Sequence, residues 1–155
     1  MPQPTIGAAA PGFSLPASGG QTISLASLSG SKVVLFLYPR DDTKGCTAEA
    51  IDFTGQLSAF EAEGAVVLGL STDSIASHEK FIAKHDLGVA LLSDEDAAVA
   101  TAYGAWVEKS MYGRKFLGIE RSTFLIDEAG VLRQAWRKVR VPGHVDAVLD
   151  AVRAL

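Results

Sequence analysis

"KVVLFLYPRDDTKGCTAEA", residues 32–50, is the stretch on which the fold turns. Lys32 to Tyr38 is a run of Val, Leu and Phe with no polar alternation. A half-exposed strand would alternate, so the run predicts a central strand covered on both faces. Pro39 ends it, having no N–H to give to a ladder. Beyond it Cys46, Ala50, Phe53, Leu57 and Phe60 recur at steps of three or four, which places them on one face of a single helix with Gly64 as its stop. "AVVLGLS", Ala65–Ser71, is then a second buried strand. Strand, helix and strand make a parallel crossover, and such crossovers are right-handed.

Working outward, "FSLPASGGQTISL" reads as two short strands about an "SGG" turn. Downstream, Asp73 and Ser74 are caps for a helix with Ile75, Ile82 and His85 or Leu87 on its inner side and Gly88 as its end. "ALLSD" is a short strand and "EDAAVATAYG" a short helix. Ser122 to Trp136 reads as a β-hairpin about "EAG", and His144 to Leu155 as a last helix with a stripe of Val145, Val148, Leu149, Val152 and Leu155. A parallel unit first and an antiparallel hairpin last require a mixed α/β sheet flanked by helices. That is the thioredoxin-like arrangement with an N-terminal β-hairpin added. With no repeat, low-complexity tract or linker, residues 1–155 are expected to form one domain.

The 155 residues are 48% hydrophobic with a formal net charge of −4, a globular composition that gives nucleic acid no basic face. The apolar runs fall far short of the roughly 20 residues a membrane helix needs. No basic start with an apolar core follows Met1, so no secretory signal is legible. One cysteine excludes an internal disulfide framework, and a reducing cytoplasm is the expected compartment.

That cysteine, Cys46, opens a helix beyond the C-terminal end of the first central strand, the edge where open α/β sheets place their sites. Free N–H groups and the positive end of the helix dipole favour a thiolate there. Lys44 adds to this; Asp41, Asp42 and Glu49 oppose it unless they point away or engage a cation. A lone cysteine is as often a small buried filler. Pro39 and Thr43 tilt the balance, since Pro-x-x-x-Thr-x-x-Cys places a shield and a hydroxyl beside the sulfur.

"YPRDDTKGCTAEA" resembles the active-site signature of the peroxiredoxins, thiol peroxidases on a thioredoxin fold, and within them the bacterioferritin comigratory (Q-type) group. "FSLPASGG", "KVVLFLYPRDDT", "AYGAWVEKSMYGRKFLGIERSTFLID" and "KVRVPGHVDAVL" extend the likeness over nearly the whole chain. The resemblance implies that Cys46 is the peroxidatic cysteine, becoming a sulfenic acid. It makes Thr43 the residue that hydrogen-bonds the peroxide, Arg121 the cation beside the sulfur, Pro39 the shield and Glu49 the acid that holds the arginine. Without the resemblance, Arg121 is one of 14 Lys and Arg and reads as a solvated charge, and Glu49 as a complement to the helix dipole.

Many Q-type relatives carry a resolving cysteine one helical turn on, where this chain has Ile51. The sulfenic acid must therefore meet an external thiol: glutathione with or without glutaredoxin, or thioredoxin. The expected function is reduction of hydrogen peroxide and organic hydroperoxides without metal or cofactor. A peroxide sensor or thiol relay and a non-enzymatic holdase are the alternatives, and a monomer or weak homodimer is expected. Two readings stay open for Trp106 to Gly118, a lip over the site or a packed surface loop. Arg137, Lys138 and Arg140 read as a solvated strand end or as a docking site for an acidic reductase. His78, His85 and His144 show no metal-ligand spacing with Cys46, and there is no phosphate-loop or dinucleotide motif.

Overall fold

The computed structural model describes residues 3–155. Strands β1 (Ser14–Ala17) and β2 (Gln21–Ser24) form the expected N-terminal hairpin. Then come β3 (Lys32–Leu37), α1 (Lys44–Gly55), α2 (Leu57–Ala62), β4 (Ala65–Ser71), α3 (Ile75–His85), β5 (Ala90–Ser93) and α4 (Ala98–Ala102). Strands β6 (Trp106–Met111), β7 (Arg114–Ile119), β8 (Ser122–Ile126) and β9 (Leu132–Arg137) precede α5 (His144–Arg153). The main sheet has the order β2-β1-β5-β4-β3-β8-β9, with β3, β4 and β5 parallel and β8 antiparallel to β3. This is the mixed α/β, thioredoxin-like sheet that the sequence predicts.

Strand β3 lies at its centre. Val33 to Tyr38 are all buried, alternating between two cores. Val34, Phe36 and Tyr38 meet Cys46, Ala50, Phe53 and Phe60 of α1 and α2 and the Val145–Val152 stripe of α5. Val33, Leu35 and Leu37 meet Leu68, Leu70, Tyr103 and Phe124 on the other face. Each fully buried aliphatic or aromatic side chain contributes about 1.5–3 kcal/mol. Gly69, opposite Phe36, has no side chain because a Cβ there would stand 2.8 Å from the Phe36 ring and 2.6 Å from Leu91. The ring occupies that space and stacks on Phe53 at 4.5 Å between centroids, fixing α1 over the sheet.

Four local expectations are corrected. The helix after Pro39 is two helices, broken at Gln56, which leaves helical geometry directly after Gly55. The break brings the Phe60 ring to 5.8 Å from Phe53, a packing gain that outweighs continuity. Helix α3 ends at Asp86 in the left-handed conformation (φ 53°), not at Gly88, and its buried residues are His78 and Phe81. Asp tolerates that conformation better than most residues. Trp106 to Gly118 is a regular hairpin, β6–β7, in a two-stranded sheet of its own. Its two-residue turn, Tyr112-Gly113, has positive φ at both positions (53° and 77°), the twist a tight hairpin requires. Arg137 is not a solvated strand end: its guanidinium donates to the Tyr103 and Gly104 carbonyls and lies 5.2 Å from the Phe124 ring centre.

Candidate active site

Cys46 is the third residue of α1, and Thr43 is the N-cap. The first intrahelical bond runs from Thr47 N–H to Thr43 O, so the Lys44, Gly45 and Cys46 amides have no intrahelical acceptor. Cys46 is 2% exposed and packs in the core beside Tyr38 and Ala50. Topology delivers its partner. Ser122 pairs with Leu37, so Arg121, one residue before β8, arrives at the edge where β3 ends and α1 begins. Its Nη2 donates to Cys46 Sγ at 3.2 Å and its Nη1 to Glu49 Oε1 at 2.8 Å. Cys46 and Glu49, three apart on one helix, thus share one guanidinium.

Glu49 is fully buried, Arg121 has a side chain 15% exposed, and Glu49 Oε2 has no partner among the described residues. Burial pushes the Glu49 carboxyl up to about 7, against the pull of Arg121 and with a further push from Asp52. Burial works to lower the pKa of Arg121, but Glu49 and Cys46 outweigh it and hold the group above its ordinary value. The guanidinium therefore carries a fixed charge at the sulfur. The other acids of the loop are engaged as the helix chemistry demands: Asp41 with His78, and Asp42 with Lys84 and His85.

The structure brings Arg121 into direct contact with both Cys46 and Glu49. Thr43 is exposed and donates its hydroxyl to the Arg40 carbonyl at 2.9 Å, and Pro39 is half-buried at the start of the same loop. Lys109 of β6 is an addition that sequence reasoning does not supply. Burial and Arg121 lower its pKa while Cys46 and Glu120 raise it, so the hairpin brings a second cation within electrostatic reach of the sulfur. No local signal announces this, because β6 is neither adjacent to Cys46 in sequence nor part of the main sheet. Gly45 clears the space Arg121 occupies, for a Cβ there would stand 3.1 Å from Nη2. Gly45→Ala is expected to displace the guanidinium by a few tenths of an ångström and slow the reaction of Cys46 with peroxide about tenfold. Stopped-flow oxidation with a parallel thermal melt checks this: an unchanged rate refutes it, and a large fall in Tm assigns any loss to folding.

A nearly enclosed cysteine at a helix N-terminus, faced by a partly buried arginine on a thioredoxin-like sheet, defines the class of thiol peroxidases. Residues 6–135 match the AhpC/TSA family. A putative peroxiredoxin Bcp of Coxiella burnetii is 49% identical over 93% of this chain and 95% of its own length. Peroxiredoxin Bcp of Xanthomonas campestris is 48% identical over 92% and 90%. Among solved structures, Xanthomonas campestris peroxiredoxin Q superposes with a TM-score of 0.88 at 47% identity, covering 92% of this chain and 90% of that one. A cysteine-to-serine mutant of Xylella fastidiosa PrxQ superposes at 0.92 with 39% identity, covering 97% and 96%. The chain belongs to the AhpC/TSA family, among its Bcp (Q-type) peroxiredoxins, and is a thiol peroxidase. Such an enzyme consumes peroxide and a reductant. The Xanthomonas campestris bacterioferritin comigratory protein has been studied for alkyl peroxide reduction.

Proposed function

We propose that Cys46 is the peroxidatic nucleophile and that the chain, acting as one domain in a reducing cytoplasm, works as a one-cysteine peroxidase. The observation that carries this is the 3.2 Å contact between Arg121 Nη2 and Cys46 Sγ at the start of α1. The thiolate attacks one oxygen of ROOH, an S–O bond forms as the O–O bond breaks, and the sulfur is oxidised by two electrons to the sulfenic acid. The RO⁻ group leaves and takes a proton from water, giving ROH. Charge grows on the departing oxygen, so Arg121, the Cys46 amide and Thr43 favour the transition state over the ground state. For Thr43 this requires its hydroxyl to turn from Arg40 to the peroxide. Pro39 limits water at the site, and Glu49 fixes the fork of Arg121.

Ile51, on α1 and 45% exposed, stands where many relatives carry their second thiol. Cys46–SOH is therefore resolved by an outside thiol, which expels water and forms a mixed disulfide; a second thiol releases Cys46. Thioredoxin, glutaredoxin and glutathione are the donors to compare, with hydrogen peroxide and an organic hydroperoxide as substrates and Cys46→Ser as control. Sustained turnover with one donor supports the reading. Rapid oxidation of Cys46 with no turnover from any donor assigns the protein to peroxide sensing, and a Cys46 no faster than free cysteine refutes the site. Without an internal partner the sulfenic acid lives longer, so excess peroxide is expected to drive more of it to sulfinic acid than in Ile51→Cys. Intact-mass spectrometry after a peroxide pulse reads the doubly oxygenated product; equal yields in the two proteins overturn the expectation.

A further inference from the structure

A second constellation of buried titratable side chains lies beneath the loop that leads into α1. His78, fully buried on α3, has Nδ1 2.8 Å from Asp41 Oδ2 and Nε2 2.8 Å from the Leu92 carbonyl of β5. Asp41 Oδ1 accepts from the Tyr38 hydroxyl at 2.6 Å, and Oδ2 accepts from Ser77 Oγ at 2.8 Å. The Asp41 amide donates to Asp73 Oδ2 at 2.8 Å. A carbonyl oxygen only accepts, so Nε2 carries a hydrogen. Nδ1 and Oδ2 then face each other at a distance that requires one more proton between them, since two lone pairs would repel. The pair as built is an imidazolium against a carboxylate. One donor atom each of Asp41, Asp73 and His78 lies within 4.8 Å of the others.

The next loop residue, Asp42, has φ 58° and is held by Lys84 Nζ at 2.6 Å and His85 Nε2 at 2.8 Å. Aspartate tolerates that conformation, and two side chains of α3 hold it there. Two successive residues of the loop are thus tied to α3. At the loop's end stands Thr43, which caps α1, and three residues on is Cys46.

We propose that His78 is a positioning residue for peroxide reduction: through Asp41 it holds the Pro39–Thr43 loop, and with it Thr43 and the first turn of α1, where Cys46 meets Arg121. This rests on the reading of Cys46 and Thr43 given above. His78 touches neither the sulfur nor the substrate. A neutral imidazole has one N–H, so when the pair loses its proton either the bond to Asp41 or the bond to Leu92 is lost. The titratable groups facing His78 are Asp41 from the loop, Tyr38 at 3.5 Å from the end of β3, and Asp73 from the turn before α3. Burial opposes the imidazolium, but the bonds to Asp41 and Leu92 outweigh it and raise the His78 pKa. The two-ended link from Asp41 through His78 to Leu92 is intact at neutral pH and gives up one of its two bonds in the alkaline direction.

Second-order rates of Cys46 oxidation by hydrogen peroxide, measured by stopped flow from about pH 6 to 10 for wild type, His78→Gln, Asp41→Asn and the double variant, test this. Each single variant is expected to be roughly ten- to a hundredfold slower at pH 7. The double variant is expected to be no slower than the worse single, because both remove the same tether. The wild-type rate is expected to fall back toward that of the variants at alkaline pH, a limb that His78→Gln lacks. If a variant fails to fold, hydrogen exchange in the wild type replaces it. The Thr47, Ala48 and Glu49 amides, the first to be hydrogen-bonded within α1, should then gain exchange selectively, relative to β4 amides, as His78 deprotonates. Variants as fast as wild type, or exchange that stays in proportion across the pH range, overturn the proposal. A wild-type Cys46 no faster than free cysteine overturns the reading of the site itself, and a fast wild type with equally fast variants overturns only the role of His78.

Discussion

Arg121→Ala is expected to lower kcat/KM for hydrogen peroxide by about 10²–10³-fold and to destabilise the fold by about 3 kcal/mol at pH 8. Both effects come from one guanidinium with two jobs. Toward Cys46 it is a charged donor at 3.2 Å, placed where the proposed mechanism holds and redistributes negative charge. Toward Glu49 it is the hydrogen-bond partner of a fully buried carboxylate. Removing it strands that carboxylate, and breaking a buried pair from one side leaves an uncompensated charge. The stability loss should shrink at pH 5, where Glu49 takes a proton and needs no counter-ion. Arg121→Lys should restore only part of either effect, because a single ammonium cannot present a fork to sulfur and carboxylate together. Steady-state kinetics and urea melts at the two pH values decide it: a variant within threefold of wild-type activity, or a loss of stability equal at both, contradicts the account.

Glu49→Gln is expected to move activity and stability in opposite directions. In the fold Glu49 holds its proton up to about 7, above the ordinary 4.5. The folded chain therefore binds more protons than the unfolded chain between those values. The stability this contributes is complete below pH 4.5 and is lost as pH rises through 7, a span of about 3 kcal/mol. Glutamine does not titrate, so the variant should keep at pH 8 what the wild type has given up, and its stability should vary less from pH 5 to 8. Its peroxidase rate should fall about tenfold, because a neutral amide anchors Arg121 less firmly than a carboxylate. Denaturation at pH 5, 6, 7 and 8 reads the first part, and parallel curves for the two proteins would falsify it. A wild type less stable than its variant is the mark of a residue kept for its site.

What the sequence made legible divides along a physical line. The unalternating run Val33–Tyr38, the second strand Ala65–Ser71, the N-terminal hairpin and the closing β8–β9 hairpin all came through. Strands covered on both faces must be apolar throughout, and tight turns need particular residues. The break after Gly55 did not, since it depends on Phe60 reaching Phe53, a tertiary contact. The β6–β7 hairpin is hidden because Tyr112-Gly113 is not the Asn-Gly or Asp-Gly pair that announces such a turn, and because its exposed Met111, Phe116 and Leu117 blur the alternation. In the site, Cys46, Thr43 and Pro39 are near neighbours along the chain. Arg121 lies 75 residues from Cys46, and only its motif makes it legible. His78 and Lys109 carry no motif, and their partners become visible only in space.

In the cycle proposed for Cys46, its 2% exposure sets a ceiling. A small peroxide can reach a sulfur so enclosed, whereas a thiol borne on glutathione or on another protein must approach along the S–O axis and cannot do so past an intact first helical turn. Raising the donor concentration then quickens turnover only until it matches how often that turn swings clear. Beyond that point donors of very different nucleophilicity converge on one rate, and the pace of the enzyme belongs to its own backbone.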